Sequence, residues 1–94
     1  MPLVRFLWDN RPGANIDHIA SHGMTTSAWE DVYRRAMMRE ADKDDATIFT
    51  AEGKSSGRLY RIVYGIYGDI VIPLTVIPIT GFPISRRSLR RRTL

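Results

Sequence analysis

Residues Leu3 to Trp8 alternate, with Val4, Phe6 and Trp8 on one side and Leu3, Arg5 and Leu7 on the other. A period of two predicts a strand. Asp9-Asn10-Arg11-Pro12-Gly13 then supplies turn residues. Beyond it the period changes. Ile16, Ile19 and Ala20 share one helical face, so a short helix is expected over Ile16–His22. Asn15 is the expected N-cap, and Gly23 stands where a left-handed C-terminal residue belongs. Two turns do not hold themselves together in water, so this helix must pack on the sheet. Trp29, Val32, Tyr33, Ala36 and Met37 repeat at helical spacing and predict a second, amphipathic helix ending near Met38. Ser27-Ala28-Trp29-Glu30 fits a capping box, with Thr25 as the alternative cap.

Arg39 to Asp45 is charged and aperiodic, which predicts a loop. Three strands follow, over Thr47–Ala51, Arg58–Tyr64 and Ile70–Ile77. Their connections, Gly53–Gly57 and Gly65–Gly68, are short and bounded by glycine, which predicts an antiparallel meander. Pro73 lacks a backbone donor and so belongs at an edge, at a bulge or where the donor would face outward. The expected order is β-α-α-β-β-β, an α+β fold with helices packed on an antiparallel sheet, followed by a basic C-terminal segment. Residues 1–83 are read as a single domain and 84–94 as an arginine-rich tail or short helix.

Composition changes this picture in two ways. The chain has no cysteine, which excludes a disulfide framework and thiolate chemistry and fits a reducing, cytoplasmic setting. The N-terminal residues do not read as a signal peptide, and the apolar run Ile70–Ile79 is too short for a membrane-spanning helix. Charge is the second change. The net charge is +4, yet residues 1–84 hold nine Lys/Arg against ten Asp/Glu. The basic character therefore lies in Arg86, Arg87, Arg90, Arg91 and Arg92. Such a segment attracts phosphate backbones or an acidic protein, or simply keeps a terminus solvated.

Candidate chemistry is sparse. His18 and His22 are the only histidines and stand four apart, so on a helix they share a face. Imidazole titrates near neutral pH and suits acid/base work, while His22 also suits a helix end and His18 a packing position. The spacing alone does not make a metal centre: a third ligand and an H-E-x-x-H pattern are missing, so no metal and no small-molecule cofactor is expected. Arg58 shares a strand face with Tyr60, Ile62 and Tyr64, a combination suited to phosphate contact and base stacking or to a rim position. Arg61 falls on the opposite face. Glu30 offers a base, although a capping box accounts for it. Asp42, Asp44 and Asp45 lack the spacing of a calcium loop.

Several of these pieces together resemble one family. Phe6, Trp8 and Asp9, then Asn15-x-x-His18-Ile19-Ala20-x-His22-Gly23-Met24-Thr25, are similar to the opening of BrnT-like toxins. Gly57-Arg58-Leu59-Tyr60-Arg61-Ile62-Val63-Tyr64 and Ile72-Pro73-Leu74-Thr75 are similar to later strands of that family, and the arginine tail to its basic end. The resemblance implies a RelE/ParE-like fold and a type II toxin–antitoxin component, an endoribonuclease acting on RNA without metal and neutralised by a DNA-binding antitoxin. It implies catalytic roles for His22 and Arg58, then His18 and Glu30, with Arg61, Arg86, Arg87, Arg90 and Arg91 binding nucleic acid. After Thr75 the family usually carries a small residue and then arginine, where Val76 and Ile77 stand here.

Overall fold

A computed structural model describes residues 4–79. Strand β1 is only Arg5–Phe6, shorter than the alternating run, because beyond it the chain turns to receive a helix. Helix α1 spans Asn15–Ala20 and helix α2 Thr26–Arg34. Four strands follow: β2 (Met38–Ala41), β3 (Ile48–Ser55), β4 (Arg58–Tyr67) and β5 (Ile70–Pro78). The sheet order is β1-β5-β4-β3-β2. Strands β3 to β5 form the expected antiparallel meander, β2 extends it by a strand that was not expected, and β1 joins β5 in parallel at the other edge, so the sheet is mixed. The α+β class stands as expected from the sequence.

Both helices feed one core. Trp29, fully buried, lies at its centre with Phe6, Trp8, Tyr33 and Tyr64 around it, ring centres 5.6 to 6.2 Å away. Edge-to-face pairs predominate, as the aromatic quadrupole favours. Ile19 from α1, Val32 from α2, and Ile62, Val71 and Val76 from the sheet complete the interior. Gly53 explains how closely α2 settles. A Cβ on it would lie 2.6 Å from the Val32 carbonyl oxygen, so only glycine admits the helix there. This also fixes the faces of the sheet: Gly53 and its cross-strand partner Tyr60 face the helices, while Glu52 and its partner Arg61 face away.

Four local expectations are corrected. Arg39–Asp45 is not all loop, because Met38–Ala41 pairs with Phe49–Glu52 as the outer strand. Its charge disguised it: an edge strand exposed on its outer side needs no apolar alternation. Its loop with β3 is held by carboxylates, Asp42 accepting from the Asp44 and Asp45 amides and Asp45 from the Thr47 amide and hydroxyl. Gly53 lies inside β3 and Gly65 inside β4 rather than in connections, and the β3–β4 hairpin turn is only Ser56-Gly57, with φ of 51° and 78°. Positive φ at both positions makes it a type I′ turn. Asn15 is not the N-cap of α1, since Ala14 occupies that position without a side-chain bond. Asn15 instead accepts from the Asp9 amide and donates to the Leu7 and Pro73 carbonyls, latching α1 to β1 and β5. Helix α2 ends at Arg34, earlier than the apolar spacing predicts, because Met37 already donates to Glu52 in the sheet.

Pro73 sits where the β4–β5 register shifts, one of the three expected placements. The missing donor falls at an irregularity in the ladder, where it costs least.

Candidate active site at the paired histidines

Helix α1 lies beside β5, and its end is fixed by backbone bonds. The Gly23 amide donates to the Ala20 carbonyl and the Met24 amide to the Ile19 carbonyl, at 2.9 and 3.1 Å. These are the two bonds of a Schellman motif, and Gly23 takes the left-handed φ of 80° that it requires. Met24 and Ile19, both buried, make the accompanying apolar contact. The turn holds His22 just beyond the helix, one turn on from His18. The two imidazoles have ring centres 5.0 Å apart with planes at 74°. Both residues are exposed. The His18 Nε2 lies 2.9 Å from the Thr75 hydroxyl oxygen on β5, which fixes the orientation of that ring. Thr75 is itself placed by the core, its carbonyl accepting from the Trp29 indole at 3.3 Å.

The other candidates do not join this pair. Glu30 is on α2 but does not close a capping box, because the Thr25 hydroxyl caps the helix by accepting from the Ala28 amide. The Glu30 carboxylate accepts from the Trp8 indole at 2.7 Å and from the Arg34 guanidinium at 3.3 Å. Its Oε2 ties the segment after β1 to α2, while its Oε1 is met by Arg34 of the same helix. Arg61 is on the sheet face away from the helices, with its guanidinium 2.6 and 3.0 Å from the Glu52 carboxylate. The Glu52 side chain is only 5% exposed, so Arg61 serves a largely buried ion pair. Arg58 is exposed at the start of β4, opposite Ser55 in the hairpin and on the helix side of the sheet. Among the described residues no ion pair or hydrogen bond joins it to either histidine. Arg86, Arg87, Arg90 and Arg91 lie outside the described residues.

Thr75 is the site residue that sequence reasoning missed. It is 57 positions from His18, and no local pattern distinguishes it. Ile77, standing where the resemblance leads one to expect arginine, pairs with Arg61 in the β4–β5 ladder and is 46% exposed. The protein therefore presents an apolar group there. Elsewhere on the surface, the Asp9 carboxylate near the mouth of α1 is held at about 2 by the Arg11 side chain and amide. A shallow groove of about 460 Å³ adjoins it, lined in part by Leu7, Asp9, Arg11, Ile72 and Leu74.

Chemically, two neighbouring imidazoles can divide proton transfer, one accepting while the other donates. Among the described residues no group of three or more His, Asp or Glu side chains is arranged around a common point, and no helix is long and apolar enough to cross a membrane. No family model, curated protein or solved structure matches the chain.

Proposed function

We propose that this protein is an RNA-cleaving toxin of the BrnT-like kind, acting in the cytoplasm and neutralised by a DNA-binding antitoxin. The observation that carries the reading is the exposed His18–His22 pair, with His18 oriented by Thr75. RNA cleavage by transphosphorylation needs a base and an acid at one phosphodiester. One imidazole removes the proton of the 2′-hydroxyl, the oxygen attacks the adjacent phosphorus, and the other imidazole protonates the departing 5′-oxygen. No metal enters these steps. Arg58 and the tail arginines are the cations available to draw in the phosphate backbone. The order of strands and helices is compatible with the fold that the resemblance implies.

The test is cleavage of RNA by the purified chain in the presence of a chelator, together with growth arrest on expression alone. His18→Ala and His22→Ala should each lower the cleavage rate by about 100-fold or more. RNA left intact at both low and moderate salt would remove the enzymatic reading. A second reading, a nucleic-acid-binding module without turnover, is favoured by the engagement of Glu30 and Arg61 in structural pairs and by the apolar Ile77. It expects salt-sensitive binding with no product.

A further inference from the structure

The geometry points to a second property of the same pair: His18 and His22 form a two-imidazole chelate for zinc(II). Two imidazoles bound to one tetrahedral zinc at Zn–N distances of about 2.0–2.1 Å have ring centres about 5 Å apart. The observed separation is 5.0 Å, with the ring planes at 74°. The positions are also held. His18 is on α1, anchored by the buried Ile19, and the backbone of His22 is held by a hydrogen bond from its amide to the Ile19 carbonyl and by the Schellman turn that follows. Binding therefore requires little ordering of the backbone.

The Thr75 contact supplies an independent feature of a ligating histidine. A metal-bound imidazole characteristically uses its second ring nitrogen for a hydrogen bond to an oxygen, which sets the tautomer and the ring orientation. Here His18 Nε2 lies 2.9 Å from Thr75 Oγ1. With the proton on Nε2 and donated to Thr75, the lone pair is on Nδ1, available to the metal. Imidazole donors suit zinc, copper and nickel rather than magnesium or calcium. With two protein ligands, water completes the coordination shell. Such a site exchanges its ion, unlike the closed four-ligand centres that hold a fold together. The chain has no cysteine and no other histidine, so imidazole- or thiolate-dependent affinity has a single source.

One consequence rests on the ribonuclease reading. A bound ion occupies the lone pairs that would move protons, so zinc inhibits RNA cleavage and a chelator restores it.

The experiment titrates zinc chloride into the full chain at pH 7.5. Binding is followed by calorimetry and by the imidazole resonances of His18 and His22 in NMR spectra. One saturable site is expected, weakened about 10-fold or more in His18→Ala and in His22→Ala. Thr75→Val, which keeps both ligands, is expected to weaken binding about 10-fold, with an unchanged circular dichroism spectrum. Copper(II) should bind more tightly than zinc. Equal zinc affinity in the double variant His18→Ala/His22→Ala, or imidazole resonances that do not move, would overturn the site. RNA assays run in parallel separate the two readings. Zinc binding by a chain that never cleaves RNA keeps the site and removes the ribonuclease. Cleavage undiminished at saturating zinc removes the inhibitory role.

Discussion

Glu30 shows how one side chain can satisfy a local rule and act by a different route. Its position three residues after Ser27 fits a capping box, yet Thr25 caps α2 and Glu30 reaches across 22 residues to Trp8. The two accounts differ in a measurable way. A double-mutant cycle between Glu30→Ala and Trp8→Phe should give a coupling energy of about 1–2 kcal/mol, as for a hydrogen bond to a charged group. A capping role would give none. Thr25→Ala should independently cost about 1 kcal/mol of stability by denaturant unfolding. Gly53 is the other residue whose role is steric and specific. Gly53→Ala would force the Val32 carbonyl and the Ala36 backbone away, at a cost of about 1–3 kcal/mol. The loss should appear as a lower denaturant midpoint with an unchanged slope.

Among the elements, the β3–β4 hairpin carries a correctable imperfection. Ser56 holds a φ of 51° that a serine side chain disfavours, next to Gly57, which tolerates it. Asn-Gly is the preferred pair for this turn, so Ser56→Asn should raise stability by about 0.5 kcal/mol without disturbing the strands. A fall in thermal midpoint would contradict the assigned turn. Strand β2 makes a related point. It is short and charged, and from within it the Arg39 side chain reaches over the Tyr33 ring, 4.4 Å from the centroid, and donates to the Tyr64 hydroxyl at 3.3 Å. The charges that hid this strand also suit it to an edge, where a flat apolar strand would invite pairing with other chains.

For the whole molecule, Asp9 and Tyr64 bear on the pH dependence of stability in opposite senses, and Asp45, whose carboxyl is lowered by the hydroxyl and amide of Thr47, acts in the sense of Asp9. Asp9 has its folded pKa lowered to about 2 by Arg11. Its contribution is present above the unfolded carboxylate range near 3.9 and is lost as pH falls toward 2. Burial pushes the Tyr64 hydroxyl up, although Arg39 opposes the shift. That contribution is present below about pH 10 and is lost as pH rises beyond it. As far as these three groups govern it, stability should be flat between roughly pH 5 and 9 and fall on either side. Unfolding by urea across that range checks it, and Arg11→Ala should remove the part of the acid-side share that Asp9 supplies. Charge at this scale also bears on nucleic-acid affinity. Residues 1–84 carry one more acid than base, so deletion of residues 85–94 should abolish most binding and flatten its dependence on salt. Unchanged affinity after that deletion would place recognition on the domain itself.

The sequence by itself determined the element types and their order for the well-patterned segments, because periodicity is a local property written in neighbouring residues. Alternation marked β1, helical spacing marked α1 and α2, and Gly57 and Gly68 marked turns of the meander, whereas Gly53 and Gly65 fell inside strands. It also determined that the excess positive charge belongs to the last residues and that His18 and His22 share one face. Tertiary structure decided what no local window contains. It made Met38–Ala41 a strand, since only pairing with β3 satisfies that backbone. It turned Asn15 and Glu30 from helix caps into latches between distant elements, because a side-chain oxygen bonds whichever donor packing brings near. It joined Arg61 to a nearly buried Glu52, and it placed Thr75 against His18 from 57 residues away. The candidate site was half legible for the same reason: the two imidazoles are neighbours on one helix end, whereas the hydroxyl that orients one of them arrives only when β5 is in place.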